Sequence, residues 1–217
     1  MKKIITLFFF LATHSIFAQV ERTDTEYEKG TIIDGYKAGI WEYYDTPGEL
    51  ALKINYNSAK LLFFKADTTD YVIKVREKWI TSRLDRPARY IGSMNDFQKA
   101  YAGIQYPVEA RLNETAGRFY IAFEIDTTGK AGNFQVINDI GNHCSEQVIK
   151  ALKKLPNFWL PAQKNGQVYA AKFILPVTFK MVFNDKEVSP KKVNYHMEPP
   201  LAKELKELVI TTIGKPR

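Results

Sequence analysis

The chain has a single cysteine, Cys144, so no disulfide can form within it, and a fold without that staple must rest on its apolar core. Histidine is scarce as well: beyond the N-terminal segment only His143 and His196 remain. His143 adjoins Cys144, but neighbours ahead of a helix point apart and no acid is fixed to orient the ring. The pair therefore lacks the arrangement of a nucleophile with its base, and the ordinary use of Cys144 is buried packing. So few soft ligands offer no metal site. No glycine-rich phosphate loop is present, so neither a cofactor nor an enzymatic activity is expected. Charge of one sign is lacking too. Despite a formal net charge of +7, Lys74, Arg76, Glu77, Lys78, Arg83, Asp85 and Arg86 are mixed in sign, with no stacking platform between them, which argues against a nucleic-acid partner.

Long apolar runs are missing except at the start. Lys2 and Lys3 precede Ile4–Thr13, and Ala18 precedes Gln19, the pattern of a secretory signal cleaved after Ala18. His14 and Ser15 interrupt the run well short of the roughly 20 apolar residues of a spanning helix. An exported protein in the periplasm is the expectation. Retention of that segment as a membrane anchor is the alternative, and an intact Met1 would mark it.

What is present is apolar and aromatic: 45% hydrophobic and 13% aromatic residues over 217 positions, enough for one domain or two small ones. From Gly30 to Lys65 the pattern is strand and turn. A turn is expected at Gly35–Gly39, a strand at Ile40–Tyr44, a second turn at Asp45–Gly48, then Leu50, Leu52, Ile54 and Tyr56 alternating with Ala51, Lys53 and Asn55. Tyr71, Ile73, Val75 and Trp79 suggest an approximate helical stripe before Pro87. Val108–Asn113 is a short helix candidate. Phe119, Ile121, Phe123 and Ile125 then alternate along a strand, Asp126–Lys130 supplies hairpin turn chemistry, and a second extended run reaches Ile140. Val148, Ile149, Leu152 and Leu155 form a helical stripe stopped by Pro156. Last comes a long strand, with Phe173, Leu175, Val177, Phe179 and Met181 on one face. A small three-stranded sheet of this kind is expected to leave one flank unpaired. Trp159, between Pro156 and Pro161, reads as a core lid, the alternative being an aromatic that grips a bound peptide.

Two resemblances follow from these residues. Gly39-x-Trp41-x-Tyr43-Tyr44-Asp45 with Gly48-x-Leu50 resembles the MORN-like hairpin repeat of exported bacterial proteins, over about one and a half units. Pro87–Gly92, Asn95–Gln98, Tyr106–Arg111, Gly117–Asp126, Thr128–Lys130, Trp159-x-Pro161, Asn165–Gly166 and Pro176–Phe179, in that order, resemble the C-terminal domain of TonB-type energy transducers across residues 84–183. That resemblance implies a periplasmic, non-enzymatic domain that binds the TonB box of outer-membrane receptors by strand addition. It carries Gln105, Tyr106 and Pro107 over as receptor-facing candidates. The expected partner-binding strand is Phe173, Ile174, Leu175, Pro176, Val177 and Thr178. The chain departs from the transducers in lacking a proline-rich spacer: only Pro47, Pro87 and Pro107 separate the N-terminal segment from the first helix of that domain. A cleaved leader would also leave no anchor through which force could pass.

The tail adds a third element. Leu201, Leu205 and Leu208 follow Pro199 at helical spacing, and Leu208, Val209, Ile210, Thr211 and Thr212 form a β-branched run similar to a TonB-box region. This run is expected to pair with the open edge, in its own chain or in a neighbour's, the latter giving a homo-oligomer.

The expected architecture is α+β. Its parts are a signal peptide (1–18), an antiparallel β-hairpin lobe (19–67), a helical linker (68–86), a TonB C-terminal-like domain of helix-strand-strand-helix-strand order (87–183) and a tail of helix plus strand (184–217). The expected function is capture of an extended peptide from a TonB-dependent outer-membrane receptor or another envelope protein. The alternative is a membrane-anchored energy transducer for outer-membrane transport.

Overall fold

The computed structural model describes residues 19–93, 101, 103–154, 159–183, 186–187 and 201–214. The expected signal segment, the Asn95–Gln98 motif, the helix stop at Leu155–Pro156 and the start of the tail at Pro199 lie outside the described residues.

The first sheet follows the chain. β1 (Val20–Asp24), β2 (Glu28–Ile33), β3 (Tyr36–Thr46), β4 (Glu49–Asn55) and β5 (Lys60–Phe64) pair antiparallel in sequence order. Asp34 and Gly35, at φ 50° and 82°, close the β2–β3 hairpin as a two-residue turn whose twist matches the strands. The turn expected at 35–39 is thus two residues long and earlier, and Gly39 lies inside β3. Trp41, Tyr43, Leu52 and Ile54 are buried together on one face, where Ile91 and Leu160 also pack. Gly30 is required beneath the indole, since a Cβ there would meet Trp41 at 2.2 Å. Trp41 Nε1 donates to the Thr31 carbonyl, and the Lys37 ammonium sits 4.0 Å from the Trp41 ring centroid.

The second sheet does not follow the chain. It contains β6 (Tyr71–Val75), β7 (Lys78–Ser82), β9 (Gly117–Ile125), β10 (Ala131–Ile137) and β14 (Ala171–Phe183), in the order β10-β9-β14-β6-β7. Three short strands join β14 as well: β15 (Lys186–Glu187), β16 (Lys203–Glu204) and β17 (Leu208–Ile213). Two small ladders flank it, β8 (Arg89–Tyr90) with β11 (Trp159–Leu160), and β12 (Ala162–Lys164) with β13 (Gln167–Tyr169). Helices α1 (Val108–Leu112) and α2 (Cys144–Lys154) complete the named elements.

The expected α+β class is overturned: strands dominate the described residues, and the sheets are not packed on a layer of helices. Two expected helices account for much of the difference. The 71–80 stripe is the β6–β7 hairpin, because Tyr71-Val-Ile-Lys-Val75 is a β-branched run and Arg76–Glu77, at φ 47° and 64°, turns it tightly. The tail from Leu201 to Leu208 is extended, with Lys203–Glu204 paired to β14, because a strand edge is there to satisfy its backbone.

Phe119, Ile121, Phe123 and Ile125 of β9 and Phe173, Leu175, Val177, Phe179 and Met181 of β14 bury one face against Val148 and Leu152 of α2. Leu175 and Ile121 are fully excluded from water; truncating such a side chain to alanine costs about 2–5 kcal/mol. Trp159 closes this core, at 5.7 Å from Tyr90 and 5.6 Å from Phe173. Gly129, at φ 82°, is fixed by its neighbours, since a Cβ would lie 2.1 Å from the Trp159 carbonyl oxygen.

Candidate functional site

β14 is the longest strand, and its two edges are used differently. Toward β9 the ladder is continuous and antiparallel, from Ala171 opposite Ile125 to Phe179 opposite Gly117. The other edge is divided among three segments from distant parts of the chain. Ala171 and Lys172 pair with β6 antiparallel, Phe173 and Ile174 pair with β16 parallel, and Val177 to Val182 pair with β17 parallel. The expected open flank is therefore covered, by the hairpin and the tail. Between β16 and β17 the ladder lapses at Leu175 and Pro176. Proline has no N–H to give, which accounts for the break.

The tail is held along its length. Leu208 and Ile210 point into the main core, Ile210 being buried, whereas Val209 and Ile213 are exposed. Leu205 donates its amide to the Ile174 carbonyl at 2.8 Å, and Gly214 donates to Val182 at 2.9 Å. Ala202 covers the opposite face of the sheet with Ala122, Ile137 and Ile174.

Two polar clamps stand at either end. Lys203 Nζ donates to Thr69 Oγ1 at 2.7 Å and lies 4.9 Å from the Tyr71 ring centroid, with Asp67 at 3.9 Å. Burial pushes the Asp67 carboxyl up, but hydrogen bonds from Tyr71 and Thr69 and the Lys203 charge outweigh it and leave the group below its ordinary value. At the far end Thr178 donates to Glu207 Oε1 at 2.6 Å, and Arg118 Nε lies 3.4 Å from the same oxygen.

The expected partner residues fall into different environments. Phe173, Ile174, Leu175, Pro176 and Val177 are buried, so what they present at the outer edge is backbone, while Thr178 presents a hydroxyl. Tyr106 is a core residue: it donates to the Thr115 carbonyl, and its ring meets Phe179 edge-on at 5.0 Å. It thus reaches the site from beneath the strand that β17 pairs with. Gln105 is exposed and Pro107 half-buried, both ahead of α1. Lys203 and Arg118 escape a reading of the sequence because each anchors a partner far away in the chain.

The His143 ring, expected to have no acid fixed beside it, has two. His143 faces Glu146 at 3.0 Å and Glu109 at 3.2 Å, and these carboxylates, Glu146 first, raise the imidazole pKa. Cys144 is buried, and burial pushes its thiol up to about 12. Among the described residues no group of His, Cys, Asp or Glu could hold a metal ion, and no helix is long and apolar enough to cross a membrane.

No curated protein and no solved structure matches the chain. The family match that was found ends at residue 181, inside β14, so β1 to β8 and β15 to β17 lie outside it. Residues 102–181, which carry α1, β9, β10, α2 and most of β14, match the family model described as Gram-negative bacterial TonB protein C-terminal, and it is to that domain that this part of the chain is similar.

Proposed function

We propose that this chain is an exported, periplasmic interaction module, cut after Ala18, that accepts an extended TonB-box-like peptide along β14, with its own tail as the resident strand. The family matched over 102–181 is one of non-enzymatic protein-interaction domains of the cell envelope. The observation that carries the finer reading is the β17 ladder: six consecutive residues of a segment outside the matched domain lie parallel along Val177–Val182. Main-chain hydrogen bonds supply attraction to any extended guest, and alternate inward side chains, here Leu208 and Ile210, supply selectivity.

A tethered strand is a strong competitor. An intramolecular segment acts at an effective concentration on the order of millimolar, so the apparent affinity for a guest falls by the fraction of time the tail is away. The partner class is an outer-membrane receptor or another envelope protein with an accessible extended segment. The test is titration of a TonB-box peptide into the full chain and into a chain lacking residues 199–217. The truncated chain is expected to bind at least about tenfold more tightly. Equal affinity, or no binding to either, would overturn the reading.

A further inference from the structure

Beyond that site, we infer that the outer edge of β10 and the adjoining flank of α2 form a second docking surface, whose occupant is an extended acidic segment of a partner protein. β10 ends the sheet: β9 pairs one side of it, and no described strand pairs the other. Such an edge presents free backbone donors and acceptors, a template for another strand. This edge is interrupted rather than flat. The register slips between Gly132 and Gln135, and Asn133 stands at φ 52° within the bulge.

The bulge opens a cleft of about 490 Å³, bounded by Lys130 to Phe134 on one side and Ile149, Leu152 and Lys153 of α2 on the other. Its floor is apolar and fixed. Phe134 is stacked on Phe123 at 5.8 Å, and Ile149 packs against the main core. Its rim is cationic. Lys130 and Lys153 are exposed, and neither ammonium is in an ion pair among the described residues. The nearby carboxylates each have a hydrogen-bond or ion-pair partner of their own. Asp126 accepts the amides of Thr128 and Lys130 in its own turn, Glu124 accepts from Asn133, and Glu146 faces His143. Lys150 and Lys154 on the same helix are exposed too, so lysines outnumber the carboxylates of Glu124, Asp126 and Glu146 along this flank.

An alternating strand fits this arrangement by its period of two. The set of side chains that faces α2 meets the lysines rimming the apolar floor of Phe134 and Ile149, which selects glutamate or aspartate, while the alternate set faces away from α2. The bulge restricts regular pairing to the Gln135–Ile137 end, so backbone bonds alone hold a guest weakly and charge complementarity decides which segments stay.

The test is fluorescence anisotropy on the full chain with a short labelled peptide alternating glutamate and valine, against the same peptide with lysine in place of glutamate. The acidic peptide is expected to bind, more weakly as salt rises, and the lysine peptide not to bind. K130E/K153E should weaken binding by at least about tenfold, whereas the charge-matched control K60E/K78E should keep most of it. Excess TonB-box peptide should leave the acidic peptide in place. No binding, equal loss in both variants, or displacement by that peptide would overturn the inference. Displacement alone would leave the β14 reading standing.

Discussion

In the meander every strand pairs with its neighbours in the chain, through turns of a few residues, and its core of Trp41, Tyr43, Leu52 and Ile54 is assembled from two adjacent strands. In the larger sheet β14 alone pairs with segments beginning at Tyr71, Gly117, Lys203 and Leu208. The first arrangement is paired wholly by local contacts, with Ile91 and Leu160 packed on its face from elsewhere in the chain. The second closes only after distant pieces return, so a strand such as β17, paired along one edge, is expected to open before the strands paired on both. This contrast is what makes β17 a candidate for exchange and β9 a scaffold.

The sharpest break of the comparison is Trp41→Ala. It should cost about 3–5 kcal/mol, seen as loss of near-ultraviolet circular dichroism from the meander, while amide protection in β9 and β14 persists. Equal loss of protection in both sheets would show that the two fold as one unit. Next is Ile210→Ala, which removes a buried side chain from a strand paired along one edge. About 2 kcal/mol should appear as fast hydrogen exchange confined to β17, with little change in Tm. Smaller again is Glu207→Gln. The ion pair with Arg118 is two-fifths exposed, so about 0.5 kcal/mol is expected, diminishing with added salt.

The smallest effects are those of pH, and they run in opposite directions in two places. Asp67 has a lowered pKa, so its contribution to the Lys203 clamp is complete above its ordinary value of 3.8 and is lost as pH falls through the lower folded value. Exchange at β16 should therefore quicken in acid. His143 has a raised pKa, so its link between α1 and α2 is complete below 6.5 and is lost as pH rises through the higher folded value. Protection near α1 should therefore weaken slightly on going alkaline. Hydrogen exchange at matched intrinsic rates measures both.

The difference between the sheets also decides what could be read from residues alone. Alternation and the Asp126–Lys130 turn disclosed β9 and its hairpin, and the Val148–Leu152 stripe disclosed α2, since each signal lies within one segment. Leu208–Ile213 was legible as a strand from its β-branched run. Tyr71–Val75 was not, because its turn residues Arg76 and Glu77 adopt positive φ without the glycine or asparagine that usually marks such a hairpin. Leu201–Leu208 has leucines at helical spacing but takes the extended form that an edge of β14 rewards. A periodicity within one segment cannot report a partner that arrives from elsewhere. The covered flank of β14 was hidden for the same reason, as were the Lys203 and Arg118 clamps.

The most direct measurement is hydrogen exchange of the full chain with and without a saturating TonB-box peptide. The amides of Leu208–Ile213 are expected to lose protection when peptide is added while those of Val177–Val182 stay protected, one strand replacing another on the same edge. Unchanged protection across Leu208–Ile213 with peptide bound would contradict it.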